Sequence, residues 1–174
     1  DEKRANELAL QYLNSGADGI LFEPLKANIQ LNVLLNRIKP EFCSLSFLLR
    51  DNFPLSVVDF NAWVEKEKIS DSIRGILYWE TLPMADYKKN LSHSQNYSSL
   101  GVLVHPETNA EDEIVKALEK SVHFLDQITN QGTSVGEVIH NFSFSLSVGT
   151  DIFLEIAKIK SLRNLWYQIQ GAFG

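Results

Sequence analysis

The sequence predicts an α/β fold in which short parallel strands alternate with helices. Three observations predict it. Five apolar bursts of strand length alternate with segments of helical period. The strand starts recur roughly every 25 to 40 residues, the spacing of βα repeats. No long linker, low-complexity tract or composition shift divides the 174 residues, so residues 1–174 are expected to form a single domain. Short apolar strands separated by helices are those of a parallel sheet covered by helices.

A helical stretch from Ala5 to Leu13 comes first and ends at Gly16, a residue suited to a C-cap. The first strand, Gly19 to Pro24, reads GILFEP. A helical run from Ile29 to Ile38 leads to the second strand, Cys43 to Leu49, and one from Val57 to Val64 leads to the third, Arg74 to Glu80. After a polar stretch around Asn90 to Ser99, the fourth strand is Gly101 to His105 (GVLVH). Ile114, Leu118, Val122, Leu125 and Ile128 then recur three or four apart and mark an amphipathic helix, with Gly132 as its stop. The fifth strand, Phe142 to Gly149, precedes a helix with an expected buried stripe of Ile152, Ile156, Ile159, Leu162, Leu165 and Ile169. Thr150 and Asp151 are natural N-caps for it. This order of elements fits an open doubly wound sheet or a barrel, and five strands are too few to close an eight-stranded one.

The composition is that of a globular protein, 44% hydrophobic and 22% charged, with a net charge of −6. That charge, with no Lys/Arg-rich run, repels nucleic acid and anionic membranes, and neither is an expected partner. Cys43 is the one cysteine; its apolar surroundings predict a buried structural thiol in a reducing compartment. No apolar stretch reaches the roughly 18 residues that cross a bilayer. Met84 is the one methionine, and the chain is expected to be a piece of a longer polypeptide.

In a parallel βα fold the working face lies at the C-terminal strand ends. The residues expected there are Glu23, Arg50, Asp51, Glu80, His105 and Gly149 to Asp151. His105 draws attention because imidazole titrates near neutrality, although a loop-anchoring role suits it as well. His93, His123 and His140 share no ligand spacing with one another or with Cys43, so no metal site is expected. Glu111, Asp112 and Glu113 open a helix, where favourable interaction with its dipole accounts for them. Of Tyr78 and Trp79, adjacent in a strand, at most one points inward; Trp166 and Tyr167 are expected to pack. No dinucleotide fingerprint, Walker A motif or nucleophile elbow is present.

Phe144 to Trp166 reads FSLSVGTDIFLEIAKIKSLRNLW. This resembles the signature of the methylmalonyl-CoA mutase family, a strand ending in V/I-G that runs into a helix of the form F-x-E-I-A-K-x-R-A-x-R-x-L-W. Val148, Gly149, Phe153, Glu155, Ile156, Ala157, Lys158, Arg163, Leu165 and Trp166 match, with Lys160 in place of the usual arginine. Upstream, His105 with its acidic helix, Arg74 to Leu82, and Ala9 to Glu23 are similar to family strands at lower density. The resemblance implies about five of the eight units of a (β/α)₈ barrel of TIM type, an incomplete barrel in acyl-CoA and propionate metabolism.

What the family does is implied in the same way. It rearranges methylmalonyl-CoA to succinyl-CoA by radical chemistry on adenosylcobalamin, with the substrate held in the barrel. The catalytic barrel carries a glutamine in its third strand, an arginine shortly after and a histidine at the end of its fourth. Those positions fall here on Tyr78, near Lys88, and on His105, which makes these three the substrate-pocket candidates. Val104 replaces the tyrosine usual before the histidine. Tyrosine loses the amide's paired donor and acceptor, and lysine loses the planar fork suited to a carboxylate.

This pattern resembles the small, non-catalytic subunit, a cytoplasmic partner of a large catalytic subunit in a heterodimer. No cobalamin-ligand motif D-x-H-x-x-G occurs in the sequence, so the cofactor is expected on the partner and none on this chain. The competing expectations are an active acyl-CoA mutase barrel using His105, and an unrelated βα binding module. The isolated fragment, with an unclosed sheet, is expected to self-associate.

Overall fold

The computed structural model describes residues 1–25, 28–50, 57–82 and 96–173. In chain order they form α1 (Glu2–Asn14), β1 (Gly19–Phe22), α2 (Leu31–Leu34), β2 (Ser44–Leu49), α3 (Val57–Glu67), β3 (Gly75–Trp79) and β4 (Tyr97–Leu103). There follow α4 (Ala110–Asn130), α5 (Val135–Val138), β5 (Phe142–Ser145) and α6 (Ile152–Phe173). The strands make one sheet in the order β1-β2-β3-β4-β5, so the fold is α/β. Contacts divide the chain into two compact units, Asp1–Leu100 and Gly101–Gly174.

In the first unit β1 and β2 run parallel from Gly19↔Ser44 to Phe22↔Phe47, and β2 and β3 from Phe47↔Leu77 to Leu49↔Trp79. Side chains alternate between the two faces of a strand. Phe22, Phe47 and Leu77 therefore share one face, and Phe47 meets Phe60 of α3 edge-on at 5.3 Å. Leu21, Ser46, Leu48 and Tyr78 fall on the other. Phe60 also lies 5.4 Å from the Tyr97 ring and 6.1 Å from Trp63, which gives this unit an aromatic interior. Gly75 enters β3 at φ +150, where a Cβ would sit 1.9 Å from the Leu45 carbonyl oxygen; glycine is required there.

Two elements of this unit differ from the sequence expectation. The run Ile29 to Ile38 holds only the turn Leu31–Leu34, since Arg37 adopts a left-handed φ of +63. The buried Asn6 amide of α1 donates to the Leu34 and Asn36 carbonyls at 2.8 Å each, giving those carbonyls partners outside a helix. β4 begins at Tyr97, inside the polar stretch, because Tyr97 and Ser99 alternate into the interior and Trp79 Nε1 donates to the Ser99 carbonyl at 2.7 Å. Cys43 is buried and its Sγ donates to the Lys39 carbonyl, as expected of a structural thiol.

In the second unit α4 is capped by Asn109, whose side chain accepts from the Asp112 amide, and it stops before Gly132 at φ +79. Ile114, Ala117, Phe124, Leu125 and Ile128 are buried. The Val104 amide donates to Ser145, and Phe142 and Phe144 pack on Trp166 at 4.9 and 5.3 Å. β5 ends at Ser145, short of Gly149, because the Ser147 carbonyl accepts from Lys158 Nζ. Asp151 caps α6, accepting from the Phe153 and Leu154 amides.

The expected stripe of α6 is corrected. Its inward side carries Lys158 and Leu162, with Glu155, Trp166 and Ile169 half-buried, while Ile152, Ile156, Ile159 and Leu165 are exposed. Apolar residues occur nearly all round this helix, so periodicity left its rotation open. Tyr167, expected to pack, is exposed as well.

Candidate functional site

Three of the expected strand-end residues meet in the first unit. Glu23 follows β1, Arg50 follows β2 and Glu80 follows β3, so the register that pairs the strands also brings their ends together. Arg50 Nε donates to Glu23 Oε1 at 2.5 Å, and one terminal nitrogen of its guanidinium lies 3.6 Å from Glu80 Oε1. All three side chains are about 40% exposed, with 40%, 41% and 43% for Arg50, Glu23 and Glu80. Solvent therefore screens the trio. One guanidinium between two carboxylates leaves the cluster with a charge of about −1, and Arg50 gives its Nε–H to Glu23 while Glu80 stands within ion-pair distance.

Beside this trio a cavity of about 260 Å³ opens at the end of β1. Phe22, Pro24, Leu25, Ile29 and Leu34 supply its apolar walls, and Asp1, Glu2 and Glu23 line it as well. The cavity can take an apolar group, and its three carboxylates repel a negative one.

Tyr78 is half-buried on β3, paired in register with Leu48. Lys88, Asp51 and His93 lie outside the described residues. His105 belongs to the second unit, two residues beyond the end of β4. It is exposed, and among the described residues it has no hydrogen-bond or ion-pair partner. His123 and His140 are exposed too.

The second unit contains a buried ionic network that the sequence reading passed over. Lys158 Nζ donates to Glu113 Oε2 at 2.9 Å and to the Ser147 carbonyl at 2.8 Å, and it lies 2.6 Å from Glu155 Oε2. Two of its three N–H donors are thus hydrogen-bonded, and Glu155, whose buried Oε2 has no hydrogen-bond partner, adds an ion-pair contact. The Lys158 and Glu113 side chains are 3% and 6% exposed. Glu113 Oε1 accepts from the Ser147 hydroxyl and from the Glu107 amide. Two loops are thereby held together: the one after β4, which carries His105, and the one after β5, which carries Gly149 to Asp151.

The charges in the network sustain one another. Burial pushes Glu113 up, but hydrogen bonds from Ser147, Lys158 and the Glu107 amide outweigh it and hold the carboxyl below its usual range. Lys158 is pushed down by burial and more than restored by Glu155 and Glu113, so it ends above its ordinary value. Glu155 is lowered by Lys158 and by the Gly149 amide. The ammonium is buried among two carboxylates and a carbonyl, so an anion from solvent does not reach it and the arrangement fixes loops.

Glu113 lies in the first turn of α4, as read, and is in addition a buried ion-pair partner. A signal was present in its phase, since Glu113, Ala117, Ser121, Phe124 and Ile128 form a stripe beside the one read from the isoleucines and leucines. Lys158 and Glu155, three apart, carried the other half.

Among the described residues no three His, Cys, Asp or Glu side chains gather as metal ligands. The chain also does not fit cobalamin ligation through a D-x-H-x-x-G motif. None of its four histidines has an aspartate two residues before it, and the three described ones are exposed. Among the described residues no helix is long and apolar enough to cross a membrane.

Comparison with known proteins meets the resemblance read in the sequence. Residues 98–174 match the model of the methylmalonyl-CoA mutase family. A curated relative, the methylmalonyl-CoA mutase small subunit of Porphyromonas gingivalis (strain ATCC BAA-308 / W83), is 29% identical over 202 aligned positions, which take in 98% of this chain. The chain spans 31% of the length of that relative.

Proposed function

We propose that this chain is part of the small subunit of a methylmalonyl-CoA mutase and supports a larger catalytic subunit without catalysing the isomerisation itself. The observation that carries this reading is the strand-end trio. Methylmalonyl-CoA bears a carboxylate and phosphates. Arg50, the cation at these three ends among the described residues, is already paired with Glu23 and Glu80, and an anionic acyl-CoA would meet the net negative charge of this trio. Tyr78, on β3, has a ring in place of an amide. The loops of the second unit are fixed by the Lys158 network and present no free cation of that network to a substrate.

On this reading adenosylcobalamin is bound by the partner subunit, the assembly is a cytoplasmic heterodimer, and this chain contributes packing surface to it. A second reading is favoured by the free, exposed His105, which can take or give a proton in an active acyl-CoA mutase barrel.

The test is a mutase assay with adenosylcobalamin and methylmalonyl-CoA, following succinyl-CoA. The chain alone is expected to show no turnover, and to co-purify with an active large subunit. Turnover by the chain alone would overturn the supporting role. Substituting His105→Ala in the assembled complex is expected to leave turnover unchanged, whereas a loss of tenfold or more would favour the second reading.

A further inference from the structure

The outward side of α6 is apolar and basic in a chain that is otherwise acidic. Ile152, Phe153, Ile156 and Ile159 are 65%, 82%, 46% and 47% exposed. At helical spacing these four, with Lys160 and Arg163, fall on one side roughly 120° wide. Adjoining apolar exposures of this size mark a contact surface and are uncommon on a face meant for water. Lys160 and Arg163 have no acidic partner among the described residues. Glu155, the carboxylate within α6, is turned inward to Lys158. The side therefore carries a charge of +2 on a chain whose net charge is −6.

We infer that this side of α6 docks an acidic amphipathic helix of the large catalytic subunit. The partner helix would lay its own apolar stripe along Ile152, Phe153, Ile156 and Ile159, with carboxylates at its flank facing Lys160 and Arg163. The identity of the partner rests on the proposed supporting role; the chemistry of the occupant rests on this helix alone. A second copy of the chain is the poorer occupant, because isologous pairing of this side with itself would bring four cations together. An anionic bilayer is also poorer. Two cations contribute about 1 kcal/mol each at such a surface, against the repulsion of a chain with net charge −6.

The experiment measures affinity for the large subunit with the wild-type chain, the double reversal Lys160→Glu/Arg163→Glu, Ile156→Asp, and Lys39→Glu as a control elsewhere on the surface. All the replaced side chains are exposed, so far-UV circular dichroism and Trp166 fluorescence should match wild type. The expected result is at least about tenfold weaker binding for the reversal and for Ile156→Asp, an unchanged control, and wild-type binding that weakens with salt. Equal binding by all four overturns the docking side and leaves the supporting role standing. No binding even by wild type overturns both. Two further results overturn the inference by naming another occupant. One is loss of self-association in the variants, seen by sedimentation. The other is wild-type binding to phosphatidylserine vesicles that the reversal abolishes.

Discussion

The first unit threads the rings of Phe22, Phe47, Phe60, Trp63 and Tyr97 through its interior, whereas the second places one lysine between two carboxylates beneath a smaller apolar core. Ring packing is non-directional and insensitive to pH until a phenol ionises. An ion-pair network is directional: it fixes particular loops, and it depends on the protonation of every member. The difference suits what each unit positions. The first holds a sheet in register, and its strand-end charges follow from that register. The second must hold two six-residue loops, and hydrogen bonds to the Glu107 and Gly149 amides and to the Ser147 carbonyl do so.

The largest expected effect is in the aromatic interior. Replacing Phe60→Ala removes a fully buried ring that touches three others and should cost about 3–5 kcal/mol in urea unfolding followed at Trp63 and Trp79. A cost under about 1 kcal/mol would mean that the rings do not carry this unit.

Next is Lys158→Met, which leaves Glu113 and Glu155 facing one another. The expected loss is about 3 kcal/mol, the lower end for a broken buried pair, since only a thin layer of protein covers these side chains. Trp166 reports it. Amide exchange at Glu107 and Gly149 should quicken along with it, and unchanged exchange there would remove the loop-fixing role.

The two interiors should also separate with pH. Glu113 and Glu155 are lowered in the folded chain, so their contribution is present above their ordinary value of 4.5 and is lost as pH falls below it. Lys158 is raised, so its contribution is present below 10.5 and lost as pH climbs past that value. Burial raises Tyr97 well above 10.0, so ionising it likewise destabilises the first unit only at alkaline pH. Acid should therefore perturb Trp166 before Trp63 and Trp79. Simultaneous acid transitions at all three would blur the distinction.

Tyr97→Phe sharpens the same comparison. The hydroxyl is buried without a hydrogen-bond partner among the described residues, so deleting it should stabilise by up to about 1 kcal/mol and flatten the alkaline loss. A loss of stability would mean that the hydroxyl has a partner. The smallest effect is expected for Arg50→Ala, whose ion pairs are exposed and worth about 0–1 kcal/mol in thermal unfolding.

The order and type of the elements were legible in the sequence because each rests on a local period. GILFEP, the CSLSFLL run and RGILYWE are too short and apolar to be anything but buried strands between turn residues. The α4 stripe and the Asp151 cap were legible for the same reason. Helix α2 was overestimated, since Asn6 binds two carbonyls from about thirty residues away, a contact no local window contains. Of the candidate site, the strand-end positions of Glu23, Arg50 and Glu80 could be read from where the bursts stop.

The sequence by itself determined a βα chain, the residues at its strand ends and a family-like final helix, because spacing along one backbone sets which side chains share a face. Only the tertiary structure decided that Arg50 is shared between two carboxylates, that Lys158 reaches Glu113 across 45 residues, and that α6 turns Ile152, Ile156 and Ile159 outward. The physical reason is that ion pairs and helix rotation are settled by what stands opposite. A helix apolar on nearly every side carries no record of which side another element will cover.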